Sequence, residues 1–484
     1  MGGAAWYIGG AIASVNEVLR AISINSDTLG ADTPRAEAFA KFVQGLGHGF
    51  WACFFEEAFI FDENVNLATG VIELHPYTSV MDAAIAQLEA CIEISNANPF
   101  VLPATWINGL PLTNTELSQV ANSFVARYMA QVARSSTERS WVNWSKVLAH
   151  ANQGITEDFA PEGDGGQEWL HSVQWFHNDL DDTAARADYK LIGPSDTSGE
   201  YQNWLNTPVA QRDEFIMDIG DLRIWDQTLA VDGTQNPGTQ FRQIGPTTYP
   251  ADRGTYHYSR YGWHRYENLR MSGGLGPMPI FLKEEIDFLK SEALLWTGGD
   301  LTEVASLIDN TRVANGGYPS AIGAAAGSVT DARSPLPGAS LWAMLKYEKG
   351  LECLGTGAGI DFFDRRGWDE LVTNTPIHFP VPATVTSVES YPNESVPIAF
   401  GLDNNYPNPF NPSTTIQFAL AKRATVKLKI FDVLGREVIT LVDEALGPGT
   451  YKVVFYATGL PSGPYFYRID AGEFVQTKKL MLLK

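Results

Sequence analysis

Apolar positions in about the first 380 residues recur at intervals of three and four, the spacing that places side chains on one face of an α-helix. Thr33-Pro34 is typical of a helix start because proline fits the first helical position. Ser79 to Asp82 and Thr113 to Glu116 are both capping-box patterns, with an acidic residue three positions after a hydroxyl. The periodicity predicts helices around residues 12–22, 39–54, 81–92, 117–132, 141–148, 280–295, 300–313 and 341–354.

Short turns join several of these stretches, and helices so connected usually pack as antiparallel neighbours. A tetratricopeptide-like array of helical hairpins is therefore expected for the first part of the chain. Between about residues 155 and 280 the helical spacing stops, and glycine, proline, aspartate and aromatic residues dominate. This stretch is predicted to be a large irregular insertion.

From Ser413 onward, apolar and polar residues alternate with the two-residue period of a half-buried strand. Strands are predicted around Val426 to Ile430, at Glu437 to Val442, Thr450 to Tyr456, Tyr465 to Asp470 and Phe474 to Leu482, with glycine or proline turns between them. The fold class is thus mainly α with large irregular insertions, plus a C-terminal all-β Ig-like sandwich. We expect a helical domain at residues 1–385, a linker at 386–400 and the sandwich at 401–484.

Charge is distributed unevenly between these parts. The chain has 34 Lys and Arg against 56 Asp and Glu, a formal net charge of −22. Residues 401–484 hold ten of the basic and seven of the acidic residues, which leaves 24 against 49 in the first 400 positions. So acidic a body repels phosphate backbones and anionic lipid, which argues against nucleic acid as a partner.

Cysteine use and hydropathy give two further expectations. Cys53, Cys91 and Cys353 lie far apart in apolar helical patterns, so buried free thiols are predicted, with one disulfide as the alternative. No stretch has the roughly 18 to 20 apolar residues that span a membrane. The N-terminus lacks the basic region of a signal peptide, and we expect that the natural N-terminus is missing.

Signatures of catalysis and metal binding are weak. The sequence has no Gly-x-Ser-x-Gly elbow, phosphate loop or His-x-x-x-His pair. No cofactor is expected; the acidic clusters are interpreted as solvated loops, with a structural calcium ion as the alternative. The three histidines could approach one another but lack the spacing of a metal-binding pair on a helix. The residues of these clusters are Glu162, Asp164, Glu168, Asp179, Asp181, Asp182, His150, His171 and His177.

The C-terminal region contains the motifs NYPNPFNPSTTI at 405–416, IFDVLGREV at 430–438 and KKLMLLK at 478–484. With these motifs it resembles the sorting domain of the type IX secretion system. It implies export through the periplasm and across the outer membrane by the type IX machinery, to the cell surface or the medium. The residues that match the sorting motifs are Pro407, Asn408, Pro409, Phe410, Asn411, Pro412, Gly435, Lys478, Lys479 and Lys484.

The helical part contains several short ordered segments, which include Trp6-Tyr7, AAIAQLEA at 83–90, FLKSEA at 288–293, YEKGLE at 347–352 and GIDFFDRRGW at 359–368. With these segments it resembles SusD/RagB-type nutrient-binding proteins. The resemblance implies capture of oligosaccharides, or less often peptides, without chemistry. It also implies an outer-membrane partner, a SusC-like TonB-dependent transporter. Members of this family usually carry a lipidated cysteine before the Trp-Tyr helix, and this chain departs from that pattern.

Sugar binding requires aromatic faces that stack on pyranose rings, together with polar groups for the hydroxyls. Seven of the thirteen Trp lie between residues 141 and 263. We predict an aromatic ligand platform in the insertion, formed by Trp169, Trp175, Tyr201, Trp204, Trp225, Tyr256, Tyr258, Tyr261 and Trp263. Two other functions stay open: a secreted helical glycoside hydrolase, with two carboxylates across a cleft, or a structural surface or filament protein.

Overall fold

The computed structural model describes residues 2–24, 29–65, 73–166, 169, 186–246, 257–379, 389–390, 399–410, 413–433, 435–457, 462–472 and 474–483. Two compact units are formed, Met1–Pro380 and Val381–Lys484. No helix in these ranges is long and apolar enough to cross a membrane.

The first unit is mainly helical. Its helices within the described ranges are Gly2–Ile24 (α1), Thr33–Phe54 (α2), Tyr77–Ala97 (α3), Asn114–Gln131 (α4), Ser136–Ser140 (α5), Trp144–Ala151 (α6), Tyr189–Ile192 (α7), Glu200–Asn206 (α8), Glu267–Met271 (α9), Lys283–Thr297 (α10), Leu301–Arg312 (α11), Leu341–Glu352 (α12) and Ile360–Gly367 (α13). Helix α2 packs against α1 and α3, α3 packs against α4, and α10 packs against α6, α11 and α12. The predicted helical body is confirmed.

Helix boundaries differ from the sequence prediction at three places. Helix α3 begins at Tyr77 with Pro76 as N-cap, so Ser79 lies inside the helix and the capping box predicted there is wrong. Helix α2 includes Thr33, and Asp32 takes the N-cap position instead. Trp141, predicted within a helix with Trp144, follows α5 as its C-cap and is 75% exposed.

The insertion between α6 and α10 is built from short strands and helices around a core of its own. The strands of this unit are Glu57–Phe59 (β1), Leu74–Pro76 (β2), Glu162–Asp164 (β3), Arg186–Asp188 (β4), Trp225–Leu229 (β5), Gln235–Pro237 (β6), Phe241–Gln243 (β7), Tyr258–Trp263 (β8) and Leu275–Pro277 (β9). Strand β8 lies between β4 and β7 in one sheet. Tyr189, Phe241 and Tyr261 of this core pack with Tyr347 and Leu351 of α12, which joins the insertion to the helical body.

The second unit contains two four-stranded sheets. Its strands are Glu389–Ser390 (β10), Gly401–Leu402 (β11), Ser413–Leu420 (β12), Ala424–Phe431 (β13), Glu437–Leu446 (β14), Gly449–Tyr456 (β15), Gly463–Ala471 (β16) and Phe474–Leu482 (β17). The strand orders are β10-β15-β12-β11 and β14-β13-β16-β17. Alternate residues of both sheets, including Ile416, Leu428 and Tyr467, form one buried core, as the two-residue period predicted.

All three cysteines are buried and free. Cys53 and Cys91 belong to the core around α2, α3 and α4, and Cys353 to the core around α11 and α12. The prediction of buried free thiols is confirmed.

Candidate functional site

A pocket of about 420 Å³ lies where the insertion meets α13 and the segment that follows it. We call it the polar pocket, because six charged side chains contribute to its walls. Its volume is typical of small-molecule sites, and so is its combination of aromatic and polar groups. The charged residues are Arg186, Asp188, Lys190, Asp361, Arg365 and Glu370, and the aromatic ones are Trp263 and Phe362.

Ion pairs of alternating sign build one wall of the polar pocket. Arg365 donates from Nε to Asp361 Oδ2 at 2.6 Å, and Arg333 donates from Nη1 to Asp361 Oδ1 at 2.9 Å. Arg333 also donates from Nε to Glu370 Oε2 at 2.6 Å, and Lys346 Nζ lies 2.5 Å from Glu370 Oε1. Because each group is held by a charged neighbour, this wall is ordered before any ligand arrives.

The same contacts keep the wall ionised. Burial by itself would raise the pKa of Asp361, but Arg333 and Arg365 outweigh it and lower this pKa below its usual value. For Glu370, Arg333 and Lys346 likewise outweigh burial and lower the pKa. Both carboxylates are therefore charged at neutral pH and act as hydrogen-bond acceptors only.

The opposite wall is formed by β4 and α7. Arg186 donates to the carbonyl oxygens of Ser259 and Gly245, both at 2.9 Å, which fixes its guanidinium. Asp188 caps α7 by accepting from the Lys190 backbone N–H at 2.7 Å. Within the described ranges, neither a hydrogen bond nor an ion pair holds the Lys190 ammonium group. A ligand can therefore bind this ammonium group without displacing a contact to the described residues.

Trp263 and Phe362 supply apolar surface to the pocket. Trp263 is 5% exposed, and its indole N–H is buried without a hydrogen-bond acceptor in the described part of the chain. Its ring packs against Gly355, where φ is +75° and a Cβ would lie 2.2 Å from Trp263 Cη2. Glycine is thus needed there for both backbone and space. Phe362 is half-buried.

Four residues of the predicted aromatic platform lie together in the core of the insertion. Tyr201, Trp204, Tyr261 and Trp263 are each at most 9% exposed. The rings of Tyr201 and Trp204 stack at 6.1 Å, and Tyr261 donates its hydroxyl hydrogen to Gln235 Oε1 at 2.7 Å. Of these four, Trp263 alone lines the polar pocket.

The other platform residues are separate. Trp169 is half-buried and packs against the helical core. Trp225 is half-buried and donates its indole N–H to the Thr228 carbonyl at 2.6 Å. Tyr258 is half-buried, with its ring edge-on to His257 at 4.7 Å. Trp175 and Tyr256 lie outside the described residues. The aromatic platform therefore stays a prediction. Of its described residues, Trp263 is the one that lines the polar pocket.

Several pocket residues were not singled out from the sequence. Asp361, Phe362 and Arg365 lie in a segment that was noted for its family resemblance alone. A signal existed: Asp361 and Arg365 are four positions apart in a helical stretch, the spacing of an ion pair on one face. Their position opposite Arg186 and Lys190 follows from tertiary packing, which short-range periodicity does not reveal.

The acidic and histidine clusters give no cofactor site in the described residues. Asp164 accepts from the backbone N–H groups of Gly166 and Trp169, both at 3.1 Å, so its carboxylate shapes a turn. His150 contacts Asn122 at 2.8 Å. No group of three or more His, Cys, Asp or Glu within the described ranges could hold a metal ion. Outside those ranges lie Glu168, His171, His177, Asp179, Asp181 and Asp182.

In the second unit, the segment around Pro407 and Pro409 contacts the last strand, β17. Phe410 is 2% exposed and donates its backbone N–H to the Met481 carbonyl at 2.9 Å. Asn408 joins the same strand, because its Oδ1 accepts from the Met481 N–H at 3.0 Å and its Nδ2 donates to the Lys479 carbonyl at 3.3 Å.

Other sorting-motif residues surround these contacts. Lys478 donates from Nζ to Asn404 Oδ1 at 2.8 Å, and Lys479 is exposed. Gly435 has φ of +75° in the turn after β13, a conformation that favours glycine. Asn411, Pro412 and Lys484 lie outside the described residues. The proline-rich segment and strand β17 thus form one surface, with contacts between residues that are 71 and 73 positions apart in sequence.

Comparison with solved structures finds similarities at low sequence identity. A SusD superfamily protein from Bacteroides vulgatus is 12% identical, with 76% of this chain and 74% of that chain covered and a TM-score of 0.43. Surface glycan-binding protein A from Bacteroides uniformis is 15% identical, with 75% and 74% covered and a TM-score of 0.43. A SusD-like carbohydrate binding protein from Bacteroides vulgatus is 14% identical, with 75% and 69% covered and a TM-score of 0.44.

Comparison with curated proteins gives no match. Comparison with protein families matches the second unit. Residues 404–483 match the family described as secretion system C-terminal sorting domain, which confirms the prediction made for this part of the chain from its motifs.

Proposed function

We propose that this protein binds oligosaccharides at the cell surface, without altering them, and that the polar pocket is the binding site. The supporting observation is the composition of the pocket: Trp263 and Phe362 supply apolar surface, while Lys190, Asp361 and Arg365 supply charged donors and acceptors. Sugars need both kinds of contact, because their rings have apolar faces and their rims carry hydroxyls.

Export by the type IX route belongs to the same proposal, and the family match of residues 404–483 supports it. After export through the periplasm the protein faces outward from the outer membrane or is released. The sequence resemblance to SusD/RagB-type proteins supports a further step, delivery of the captured ligand to a TonB-dependent transporter. Purification of the native protein from outer membranes tests that step, because a bound transporter should co-purify with it.

Binding can be tested with the purified full chain and a panel of soluble oligosaccharides and polysaccharides. We expect saturable binding of at least one glycan, with no release of reducing ends on long incubation. Release of reducing ends would instead establish a glycoside hydrolase. Concentration-dependent polymerisation without binding to any glycan would favour a structural surface protein.

Two substitutions test whether the polar pocket is the site. Phe362→Ala removes one aromatic surface and should weaken glycan binding by about 1 to 2 kcal/mol, roughly 5-fold to 30-fold. Lys190→Ala removes a cation that has no ion pair within the described ranges, and it should weaken glycan binding by a similar or smaller factor. Phe100→Ala is the matched control, since Phe100 is also half-buried but does not line the pocket. If Phe362→Ala and Lys190→Ala bind glycan as tightly as the control Phe100→Ala, the binding site lies outside the polar pocket.

A further inference from the structure

The wall of the polar pocket formed by α13 and the segment after it carries more positive than negative charge. Its two carboxylates, Asp361 and Glu370, meet three cations. Two of these, Arg333 and Lys346, are buried behind the wall, whereas Arg365 lines the pocket itself. Because the two buried cations already match the two carboxylates in number, the charge of Arg365 is in excess.

Arg365 also keeps most of its hydrogen-bonding capacity. Its Nε donates to Asp361 Oδ2 at 2.6 Å, but within the described ranges neither Nη1 nor Nη2 has an acceptor. Neither of these two nitrogens is fully buried. A guanidinium group has five N–H donors in one plane, and a pair of them matches the two oxygens of a carboxylate. Arg365 can therefore bind a second carboxylate while it keeps Asp361.

Lys190 supplies a cation from the opposite wall. Its side chain is half-buried and lines the pocket, and its Nζ is not fully buried. Asp188 is close in sequence, but its Oδ1 accepts from the backbone N–H of Lys190, at 2.7 Å, and not from the ammonium group. A partly desolvated ammonium group without a counter-ion is stabilised by any anion that binds beside it.

The remaining charges of this second wall do not cancel its positive charge. Glu214 lies 3.9 Å from Arg186 and 3.8 Å from Arg260, so one carboxylate serves two guanidinium groups. With Lys190 and Asp188 included, this wall has three cations and two carboxylates among the described residues. Both walls of the polar pocket therefore carry an excess of one positive charge.

This local excess is opposite in sign to the charge of the helical body. The first 400 residues carry 24 basic and 49 acidic residues, so their distant field repels an anionic ligand. At physiological ionic strength, however, exposed charges more than about 8 Å away are largely screened. The charges that line the pocket would contact the ligand directly. They therefore decide which ligand is held, whereas the body slows the approach of an anion.

We propose that the polar pocket selects acidic oligosaccharides, whose uronate carboxylates pair with the Lys190 ammonium group and with the Nη groups of Arg365. This inference rests on the proposed function, since it requires that the pocket holds a saccharide. A uronic acid keeps the apolar ring faces that Phe362 can contact and has a carboxylate where a neutral hexose has a hydroxymethyl group. Hydrogen bonds between two charged groups are stronger than those to a hydroxyl, so the carboxylate makes fuller use of both cations.

The test compares acidic oligosaccharides with their methyl esters, which have the same backbone without the charge. Oligogalacturonates, oligomannuronates and hyaluronan oligosaccharides, each with its methyl ester, are titrated into the full chain by calorimetry at pH 7.5. Because esterification keeps the rings and hydroxyls, we expect at least one acid to bind at least about tenfold more tightly than its ester.

The outcomes separate this inference from the proposed function. If esters or neutral glycans bind as tightly as every acid, selection of acidic saccharides is overturned, whereas glycan binding stands. If the chain binds no acidic, esterified or neutral glycan, the proposed function is overturned and this inference with it. Tighter binding of a sulfated oligosaccharide without uronate, such as a κ-carrageenan oligosaccharide, than of every uronate would overturn the carboxylate assignment.

Substitutions assign the selectivity to the two cations. Lys190→Gln should weaken binding of the acid about tenfold and change binding of the ester by less than about threefold, since glutamine stays polar but has no charge. Arg365→Gln should act in the same way, because Arg333 still holds Asp361. Lys290→Gln is the matched control: Lys290 is also half-buried and has no ion pair within the described ranges, but it does not line the pocket.

The ratio of the two affinities distinguishes a role in selection from a structural role. A variant that merely disturbs the pocket would weaken binding of the acid and of the ester equally. Equal losses for the two ligands in both variants, or no loss relative to Lys290→Gln, would overturn the assignment of Lys190 and Arg365. Urea unfolding followed by tryptophan fluorescence verifies that each variant is folded.

Discussion

At the residue scale, the first unit is distinguished by buried charge. Arg223 is completely buried with three carboxylates: Asp221 at 2.7 Å, Glu348 at 2.6 Å and Glu352 at 3.0 Å. Ion pairs of this kind rarely increase stability over a well-packed apolar core, but they are costly to break. Together they join the insertion, which carries Asp221 and Arg223, to α12, which carries Glu348 and Glu352.

Replacement of Arg223 by Met should therefore lower the free energy of unfolding by about 3 to 5 kcal/mol, because three buried carboxylates lose their common cation. Lys146→Met is the control: the Lys146–Glu89 pair is more than a third exposed on both sides, and exposed pairs contribute at most about 1 kcal/mol. Urea unfolding followed by tryptophan fluorescence measures both. All thirteen Trp precede residue 369, so this signal reports on the first unit. If the urea midpoint of Arg223→Met equals that of Lys146→Met, the buried ion pairs of Arg223 do not stabilise the first unit.

At the element scale, two similar capping patterns have different outcomes. In Thr113 to Glu116 both reciprocal hydrogen bonds form, so the predicted capping box is confirmed. At the second pattern, helix α3 starts at Tyr77, two residues before Ser79. Tyr77 donates its N–H to the Glu56 carbonyl at 2.9 Å and its hydroxyl hydrogen to Glu138 Oε2 at 2.9 Å. Contacts with distant segments therefore fix this helix start, and a local motif cannot reveal them.

This difference predicts different effects of the same type of substitution. Thr113→Ala removes the side-chain cap of α4 and should destabilise the first unit by about 1 kcal/mol. Ser79→Ala lies inside α3, where alanine has the higher helix propensity, and should be neutral or slightly stabilising. Urea unfolding followed by tryptophan fluorescence again gives the two values. If Thr113→Ala loses no more stability than Ser79→Ala, and neither variant is destabilised, the cap at Thr113 has no stabilising role.

Strand boundaries show a related limit of sequence patterns. Strand β14 was predicted to end at Val442 but continues to Leu446. Beyond Val442 the sequence becomes acidic, which interrupts the apolar alternation. The strand continues because its backbone pairs with β13, where Lys427 lies opposite Asp443 at 3.7 Å between Nζ and Oδ2. Backbone pairing and cross-strand charge extend the element past the point where its apolar pattern ends.

At the scale of the whole molecule, the general architecture follows from the sequence, whereas the site does not. Helical period, strand period and the aromatic insertion are local patterns, and they predict the two kinds of unit. The polar pocket instead combines segments near residues 186–191, 263 and 361–375, which tertiary packing alone brings together. An insertion of this size needs a core, and Tyr201, Trp204 and Tyr261 of the predicted aromatic platform belong to it.

The two parts of the chain also differ in charge. The first 400 residues carry the whole acidic excess, with 24 basic and 49 acidic residues, whereas residues 401–484 carry ten basic and seven acidic residues. In the second unit the proline-rich segment and β17 are joined through Asn408 and Phe410, so the two sorting motifs present one surface. A receptor that recognises this surface would need both ends of the unit to be intact.

Deletion of residues 401–484 should therefore leave the first unit folded but retain the protein in the periplasm, because the region that matches the sorting family is removed. Protease treatment of whole cells, with fractionation of the periplasm, measures the location, and tryptophan fluorescence of the purified variant verifies the fold. Asn408→Ala is the sharper variant: it removes the two hydrogen bonds to β17 while the core around Phe410 remains, and should reduce surface exposure less than the deletion. Lys422→Ala, at an exposed position between β12 and β13 and outside the three sorting motifs, serves as control and should be exported normally. Unchanged surface exposure of the deletion variant would contradict the type IX route.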